Sequence, residues 1–101
     1  MPRETEEQKI QKRILDYLYK KGFLAVKFNN LGIYSTPGFP DIVGCTNKGI
    51  FLAIEVKIPG EVPKPHQQAY LDAINKLHGI GFYATSVEEV EEELKKRKVL
   101  D

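Results

Sequence analysis

The sequence predicts a small α/β fold, in which one sheet lies against helices in the order α-β-β-β-α-β-α. Two observations indicate this class. Stretches with apolar residues at helical spacing alternate with short stretches rich in β-formers, and Gly, Pro and Asn separate them. With 101 residues, of which 42% are apolar, the chain can fill one hydrophobic core. We therefore expect a single domain over residues 1–101.

Three helices are predicted. The first spans residues 4–21, because apolar side chains recur there at helical spacing and a Lys-Gly pair ends it. The second runs from about Pro65 to Leu77, with proline in its first turn. The third begins at the capping box Ser86-x-x-Glu89, and its acidic residues precede its basic ones, which suits the helix dipole.

Four strands are predicted between these helices, over residues 23–28, 41–45, 50–57 and 81–85. The turn at residues 47–49 joins the second and third strands into a hairpin. The third strand is apolar on both faces over most of its length, which indicates a strand in a sheet that is covered on both sides.

Composition excludes several classes of protein. The net charge of +1 does not by itself indicate a nucleic-acid-binding domain, although residues 1–28 hold seven basic and four acidic side chains. The single Cys45 excludes an internal disulfide and a cysteine-based zinc site. No apolar run is long enough for a membrane span, and the polar, acidic N-terminus is not a secretory signal.

Charged side chains at the end of the third strand form the candidate site. Glu55 and Lys57 point to one face, because side chains alternate along a strand with period two. In a hairpin centred near residue 48, paired positions sum to about 96, so Asp41 lies opposite Glu55. Carboxylates with a backbone carbonyl are ligands that Mg²⁺ or Mn²⁺ prefers. The pattern alone also fits an ordinary ion pair of Lys57 with either acid.

The segments Gly38-Phe39-Pro40-Asp41-Ile42 and Ala53-Ile54-Glu55-Val56-Lys57 resemble the core signature of the PD-(D/E)xK nuclease superfamily. The wider pattern resembles its VRR-NUC family over nearly the whole chain, although no Val-Arg-Arg string occurs. The further matching features, in order, are Glu7 and Gln11, Asn29 and Gly32, Gln67, and the segment Ser86-Val87-Glu88-Glu89. The resemblance implies a restriction-endonuclease-like mixed sheet flanked by helices.

The resemblance also implies roles for single residues. Asp41 and Glu55 match the metal-ligating acids, and the Val56 carbonyl would be a further ligand of Mg²⁺ or Mn²⁺. Lys57 matches the catalytic lysine, which would help to activate water and offset charge on the phosphate. Gln67 matches the polar residue at the start of the following helix.

Two of these assignments stay open. An acid of the first helix completes many such sites, and Glu7, which continues the apolar stripe of that helix, is our choice over Glu6. Negative charge near a helix N-terminus explains either residue without a site. Gln68 is the alternative to Gln67. Amide, hydroxyl, basic and imidazole side chains near the metal are predicted to bind DNA: Lys27, Asn29, Asn30, Tyr34, Ser35, Thr36 and His66.

The function that the resemblance implies is a metal-dependent DNA endonuclease without an organic cofactor. Minimal stand-alone members resemble homodimeric, structure-specific nucleases that cut branched DNA such as Holliday junctions, and dimerisation would supply two sites. We expect a cytoplasmic protein, either bacterial or phage-encoded. Two alternatives stay open: a non-catalytic DNA-binding domain that keeps the nuclease fold, and an unrelated α/β protein with a buried ion pair.

Overall fold

A computed structural model describes residues 3–28 and 36–100. The predicted element order is confirmed in this part of the chain. The helices are α1 (Glu6–Lys20), α2 (Pro65–Lys76) and α3 (Val87–Lys96), and the strands are β1 (Leu24–Lys27), β2 (Ile42–Cys45), β3 (Phe51–Val56) and β4 (Ile80–Ala84). None of the described helices is long and apolar enough to cross a membrane.

The four strands form one mixed sheet in the order β1-β2-β3-β4. The first three strands pair antiparallel, and β4 runs parallel to β3. In the β2–β3 hairpin, Ile42 pairs with Ile54 and Val43 with Ala53, which confirms the predicted register. The buried Thr46 closes the hairpin, because its hydroxyl accepts two backbone N–H groups of the turn at 3.2 Å each.

Helices cover both faces of β3, as its two apolar faces predict. On one face α1 and α3 pack on the sheet, and the side chains there form the main core: Ile14, Leu18, Leu52, Ile54, Val56, Val90 and Leu94. On the other face α2 packs so closely that a Cβ at Gly81 would lie 3.0 Å from the Leu71 carbonyl oxygen. Residues 52–56 are consequently all buried, and the charged end of this strand emerges from the core.

The helix ends differ in detail from the prediction. α1 begins after Thr5, which forms a capping box with Gln8 that the sequence analysis did not identify. Ser86 caps α3 by accepting the Glu89 N–H at 3.2 Å. Glu89 completes no box with it, because its carboxylate accepts the hydroxyl and the N–H of Thr85 instead.

Candidate active site

Asp41, Glu55 and Lys57 meet at the open end of the β2–β3 hairpin. Asp41 Oδ2 accepts the backbone N–H of Val56 at 2.8 Å, which ties the residue before β2 to the end of β3. Glu55 is buried, with 3% of its surface exposed. Lys57 Nζ lies 3.5 Å from Glu55 Oε2. The structure thus brings together the three charged side chains that the sequence analysis grouped.

Burial makes the ionised forms of both carboxyl groups costly. Loss of solvent and the neighbouring Asp41 charge raise the pKa of Glu55 to about 7, although Lys57 acts against this shift. Burial also raises the pKa of Asp41, while the Val56 N–H and the Lys57 ammonium lower it. The two carboxyl groups titrate together, and they give up their protons less readily than exposed acids do.

One carboxylate oxygen in this site has no partner. Glu55 Oε1 is buried, and no group in the described residues forms a hydrogen bond with it. A buried acceptor without a donor costs about 1–3 kcal/mol. Mg²⁺ is commonly held by one or two carboxylates and completes its coordination with water. The donor set of Asp41 and Glu55 therefore fits a divalent cation.

Glu7 approaches the carboxylate pair from α1. It is half-buried, and its pKa is raised by burial and by the Asp41 charge, whereas Lys57 lowers it. Glu6 is exposed, so Glu7 is the acid of α1 that faces the site. Residues 3–28 and 36–100 contain no group of three acidic, His or Cys side chains suited to one ion. The predicted metal ligation by Glu7 and by the Val56 carbonyl stays a prediction.

The two glutamines at the start of α2 make local hydrogen bonds. Gln67 Oε1 accepts the Lys64 N–H at 2.8 Å and so caps the helix. Gln68 Nε2 donates to Asp72 Oδ1 at 2.9 Å. Neither bond reaches the carboxylate pair, and the catalytic role of Gln67 stays a prediction.

The residues predicted to bind DNA lie in different surroundings. Lys27, at the end of β1, is exposed, and its charge lowers the pKa of both Glu7 and Asp41. Lys27 therefore acts on both acids through its charge. Thr36 is half-buried, and its carbonyl accepts the Phe39 N–H at 3.2 Å. The remaining loop residues of this prediction lie outside the described residues: Asn29, Asn30, Tyr34 and Ser35.

Aromatic packing that was not predicted from the sequence supports the turn before Asp41. The Phe39 ring lies edge-on to Phe28 and Tyr70, with centroids 5.0 and 5.4 Å apart. The exposed His66 occupies the space that a Cβ at Gly38 would need. The signal was available in part, because a glycine and an aromatic residue precede the Pro-Asp pair directly.

The sheet order and the grouping of two carboxylates and a lysine beside the end of β3 agree with the nuclease fold that the sequence resemblance implies. The family model of the VRR-NUC domain matches residues 4–89. A solved structure described as a VRR_NUC domain superposes with a TM-score of 0.73 at 24% identity, over 91% of this chain and 97% of that one. A second, described as a VRR_NUC domain protein, has a TM-score of 0.68 at 14% identity, over 99% and 94% of the respective chains. In a comparison with curated proteins, none matches.

This chain belongs to the VRR-NUC family. The family match confirms the resemblance inferred from the Pro-Asp and Glu-x-Lys segments, and the structural similarity confirms the fold. The single domain over residues 1–101 stays a prediction.

Proposed function

We propose that this protein is an endonuclease that hydrolyses DNA phosphodiester bonds with Mg²⁺ or Mn²⁺, and that it acts in the cytoplasm as a homodimer on branched DNA such as Holliday junctions. The observation that carries the proposal is the buried Glu55 carboxylate beside Asp41, with Oε1 unpartnered among the described residues. A buried carboxylate next to a half-buried one is costly unless positive charge joins them. A divalent cation supplies that charge.

Each side chain of the site has a distinct task in this chemistry. A bound divalent cation supplies an activated water and stabilises charge on the phosphate. Asp41 and Glu55 would hold the cation, and the Val56 N–H fixes the orientation of the Asp41 carboxylate. Lys57, in contact with Glu55, keeps a fixed positive charge where negative charge develops on the phosphate.

The size of the domain favours the dimer. The molecule measures 38 × 28 × 25 Å along its principal axes. One turn of duplex DNA is about 34 Å long, so a single copy spans little more than one turn. Two copies would present two active sites and a surface large enough for the arms of a junction.

The test compares cleavage by wild type, Lys57→Met and a control, Lys48→Met, which removes an exposed lysine at the far end of the hairpin. Linear duplex, flap and four-way DNA are incubated with each protein and Mg²⁺ or Mn²⁺. We expect wild type and the control to cut four-way DNA fastest, and Lys57→Met to be slower by about 10²–10³-fold. Circular dichroism checks that each variant is folded.

Three outcomes would contradict the proposal. Equal cleavage by wild type and Lys57→Met assigns the activity to a contaminant. Binding of four-way DNA with Ca²⁺ but no cleavage with Mg²⁺ or Mn²⁺ favours the alternative, a non-catalytic DNA-binding domain. A monomer in light scattering, with and without DNA, overturns the dimer.

A further inference from the structure

The two outer strands of the sheet, β1 and β4, differ in how their free edges are covered. At the β4 edge, the Asn75 amide bonds both backbone groups of Gly81, at 2.8 and 2.9 Å, and Arg97 donates to the same carbonyl at 3.1 Å. Among residues 3–28 and 36–100, no strand or side chain bonds to the outer edge of β1. Proteins usually cover or charge such an edge, because its N–H and C=O groups pair with other chains.

Two residues of β1 direct their backbone groups towards this open edge. In an antiparallel pair, residues that bond to the neighbouring strand alternate with residues that face away from it. The Phe28 N–H donates to the Asp41 carbonyl at 2.7 Å, so Phe28 and, by alternation, Val26 bond towards β2. Ala25 and Lys27 consequently present their N–H and C=O groups at the outer edge.

The β1 strand also exposes apolar side chains. Leu24 is 66% exposed and Val26 is 54% exposed. Both lie on the face of the sheet on which α2 packs, because Ala25 between them packs against the main core on the opposite face. On that face α2 packs on β3 and β4. A free edge beside exposed apolar side chains is an aggregation hazard unless a partner covers it.

We propose that a second copy of this chain covers the β1 edge. The two β1 strands pair antiparallel about a twofold axis at Val26, and the two four-stranded sheets become one. The inference rests on the proposed homodimeric nuclease and names its interface. Ala25 of each copy then pairs with the partner's Lys27, which satisfies the edge groups of both residues. On the exposed face, Val26 meets the partner's Val26, and Leu24 meets the partner's Phe28.

This register is favoured because the strand is complementary to itself in it. Apolar side chains lie opposite apolar ones on the exposed face, and each Lys27 lies opposite an alanine. An axis at Lys27 would place two like charges directly opposite each other, which is destabilising. An axis at Ala25 would pair Lys27 with the partner's Phe23, whose N–H already donates to the Leu18 carbonyl at 3.0 Å.

The strand edge alone is too small for a stable interface, and α1 adds a second layer. A stable interface buries about 800 Å² per partner, which is a sizeable share of the 6805 Å² surface of this chain. α1 packs on β1, and its Leu15 lines a cavity together with Lys27. Tyr19, which is 79% exposed, follows Leu15 by one turn on the same side of the helix. Both layers therefore offer apolar surface to the partner.

The pairing places both candidate active sites on one face of the joined sheet. Asp41 lies beside Phe28, one strand in from the edge. The Asp41 Cα atoms of the two copies are separated by three strand spacings of about 4.8 Å and by about four residues of 3.3 Å each, which gives about 20 Å. Two sites at this separation on one face can act on the same DNA molecule.

Cysteine cross-linking tests the register in a Cys45→Ser background, which removes the single native cysteine. Val26→Cys places two cysteines across the axis with Cα atoms about 4.5 Å apart, within the range of a disulfide. Leu24→Cys is the matched control on the same face, and its two copies lie about 14 Å apart. With an oxidant, we expect Val26→Cys to form a covalent dimer at least about tenfold faster. Equal rates would overturn the register.

Val26→Lys tests the interface itself, because it places two ammonium groups on the axis. We expect the dimer Kd, measured by sedimentation equilibrium, to rise at least about 100-fold. Val62→Lys is the control, because Val62 is 67% exposed in the loop between β3 and α2, and it should dimerise as wild type does. Thermal melting shows that each variant is folded. If lysine is not tolerated, Val26→Thr replaces it, with an expected rise of about tenfold.

The outcomes separate the interface from the nuclease. If Val26→Lys dimerises as wild type does while wild type cuts DNA, the β1 interface is wrong and the proposed activity stands. If wild type is a monomer with and without DNA, the interface and the proposed homodimer both fail. If wild type is a dimer that cuts no DNA with Mg²⁺ or Mn²⁺, the proposed activity fails, and loss of the dimer in Val26→Lys still supports the interface.

Discussion

Replacing Glu55 with glutamine should stabilise the metal-free protein at neutral and alkaline pH. Burial and the Asp41 charge raise the pKa of Glu55 from 4.5 to about 7. Each pKa unit corresponds to about 1.4 kcal/mol, so ionising this carboxyl costs the folded protein up to roughly 3 kcal/mol. The figure is an upper bound, because Asp41 titrates together with it and the buried glutamine amide needs partners of its own.

The pH dependence of this cost has a definite sign. The folded protein holds the Glu55 proton more tightly than the unfolded chain does, so the wild-type free energy of unfolding falls as pH rises from 4.5 to about 7. Glutamine cannot ionise, and the variant lacks that part of the fall. Its stability relative to wild type should therefore increase by up to roughly 3 kcal/mol between pH 4.5 and about pH 8.

Urea unfolding at the two pH values, with a chelator present, measures the difference. Glu92→Gln removes an exposed carboxylate on α3 and serves as the control. Adding Mn²⁺ at about 100 times its Kd should stabilise wild type by about 2.7 kcal/mol and Glu55→Gln by much less. A variant whose stability relative to wild type is the same at both pH values would refute the burial argument. An equal Mn²⁺ effect on both proteins would refute the metal assignment.

Two further predictions concern the support of the site and the edge of the sheet. Gly38→Ala places a Cβ against His66 at a φ of +84°, whereas the Cβ of Gly60→Ala, at a φ of +93°, meets no atom within 4 Å. In thermal melts we expect Gly38→Ala to lose at least about 1 kcal/mol more folding free energy than Gly60→Ala. Equal losses would contradict the contact with His66. Asn75→Leu removes two side-chain bonds to the Gly81 backbone, at 2.8 and 2.9 Å, and the bond from Arg97 to Asn75 at 2.7 Å, whereas Arg97 still donates to the Gly81 carbonyl at 3.1 Å. We expect the free energy of unfolding, measured with urea, to fall by about 2–3 kcal/mol. We also expect light scattering that increases with protein concentration, because the Gly81 N–H at the edge of β4 loses its acceptor and can pair with other chains. A variant that scatters like wild type would contradict the role of Asn75 in protecting this edge.

Most of the fold is predictable because its determinants are local. The hairpin register follows from a short turn, and the observed pairing of Ile42 with Ile54 agrees with the sum of about 96 that is predicted by counting from its centre. The helix ends were predicted less well, since several polar residues near an end compete for the same backbone groups. Glu89 illustrates this competition, because its carboxylate binds Thr85 rather than completing a box with Ser86.

In the candidate site, too, the residues placed by local structure are predictable and those placed by tertiary packing are not. Asp41, Glu55 and Lys57 lie on one hairpin, so strand alternation and register bring them together without knowledge of the tertiary fold. Glu7 lies on a helix whose rotation about its axis is set by packing, so the sequence left Glu6 as a rival. For Gln67 a local interaction competes with the predicted role, because its Oε1 caps the helix, whereas the resemblance assigns the side chain to the site.

The net charge of +1 does not exclude DNA binding once the position of the acids is known. The acids Glu7, Asp41 and Glu55 interact with one another, as the mutual effects on their pKa values show, and without a cation they repel the phosphate that Lys57 and Lys27 attract. A bound divalent cation reverses the sign of this surface while leaving the rest of the molecule unchanged. Metal and DNA should therefore bind cooperatively, since each removes a repulsion that opposes the other. If the proposed function holds, a protein with little overall charge would in this way restrict tight DNA binding to the metal-loaded state, in which cleavage can follow.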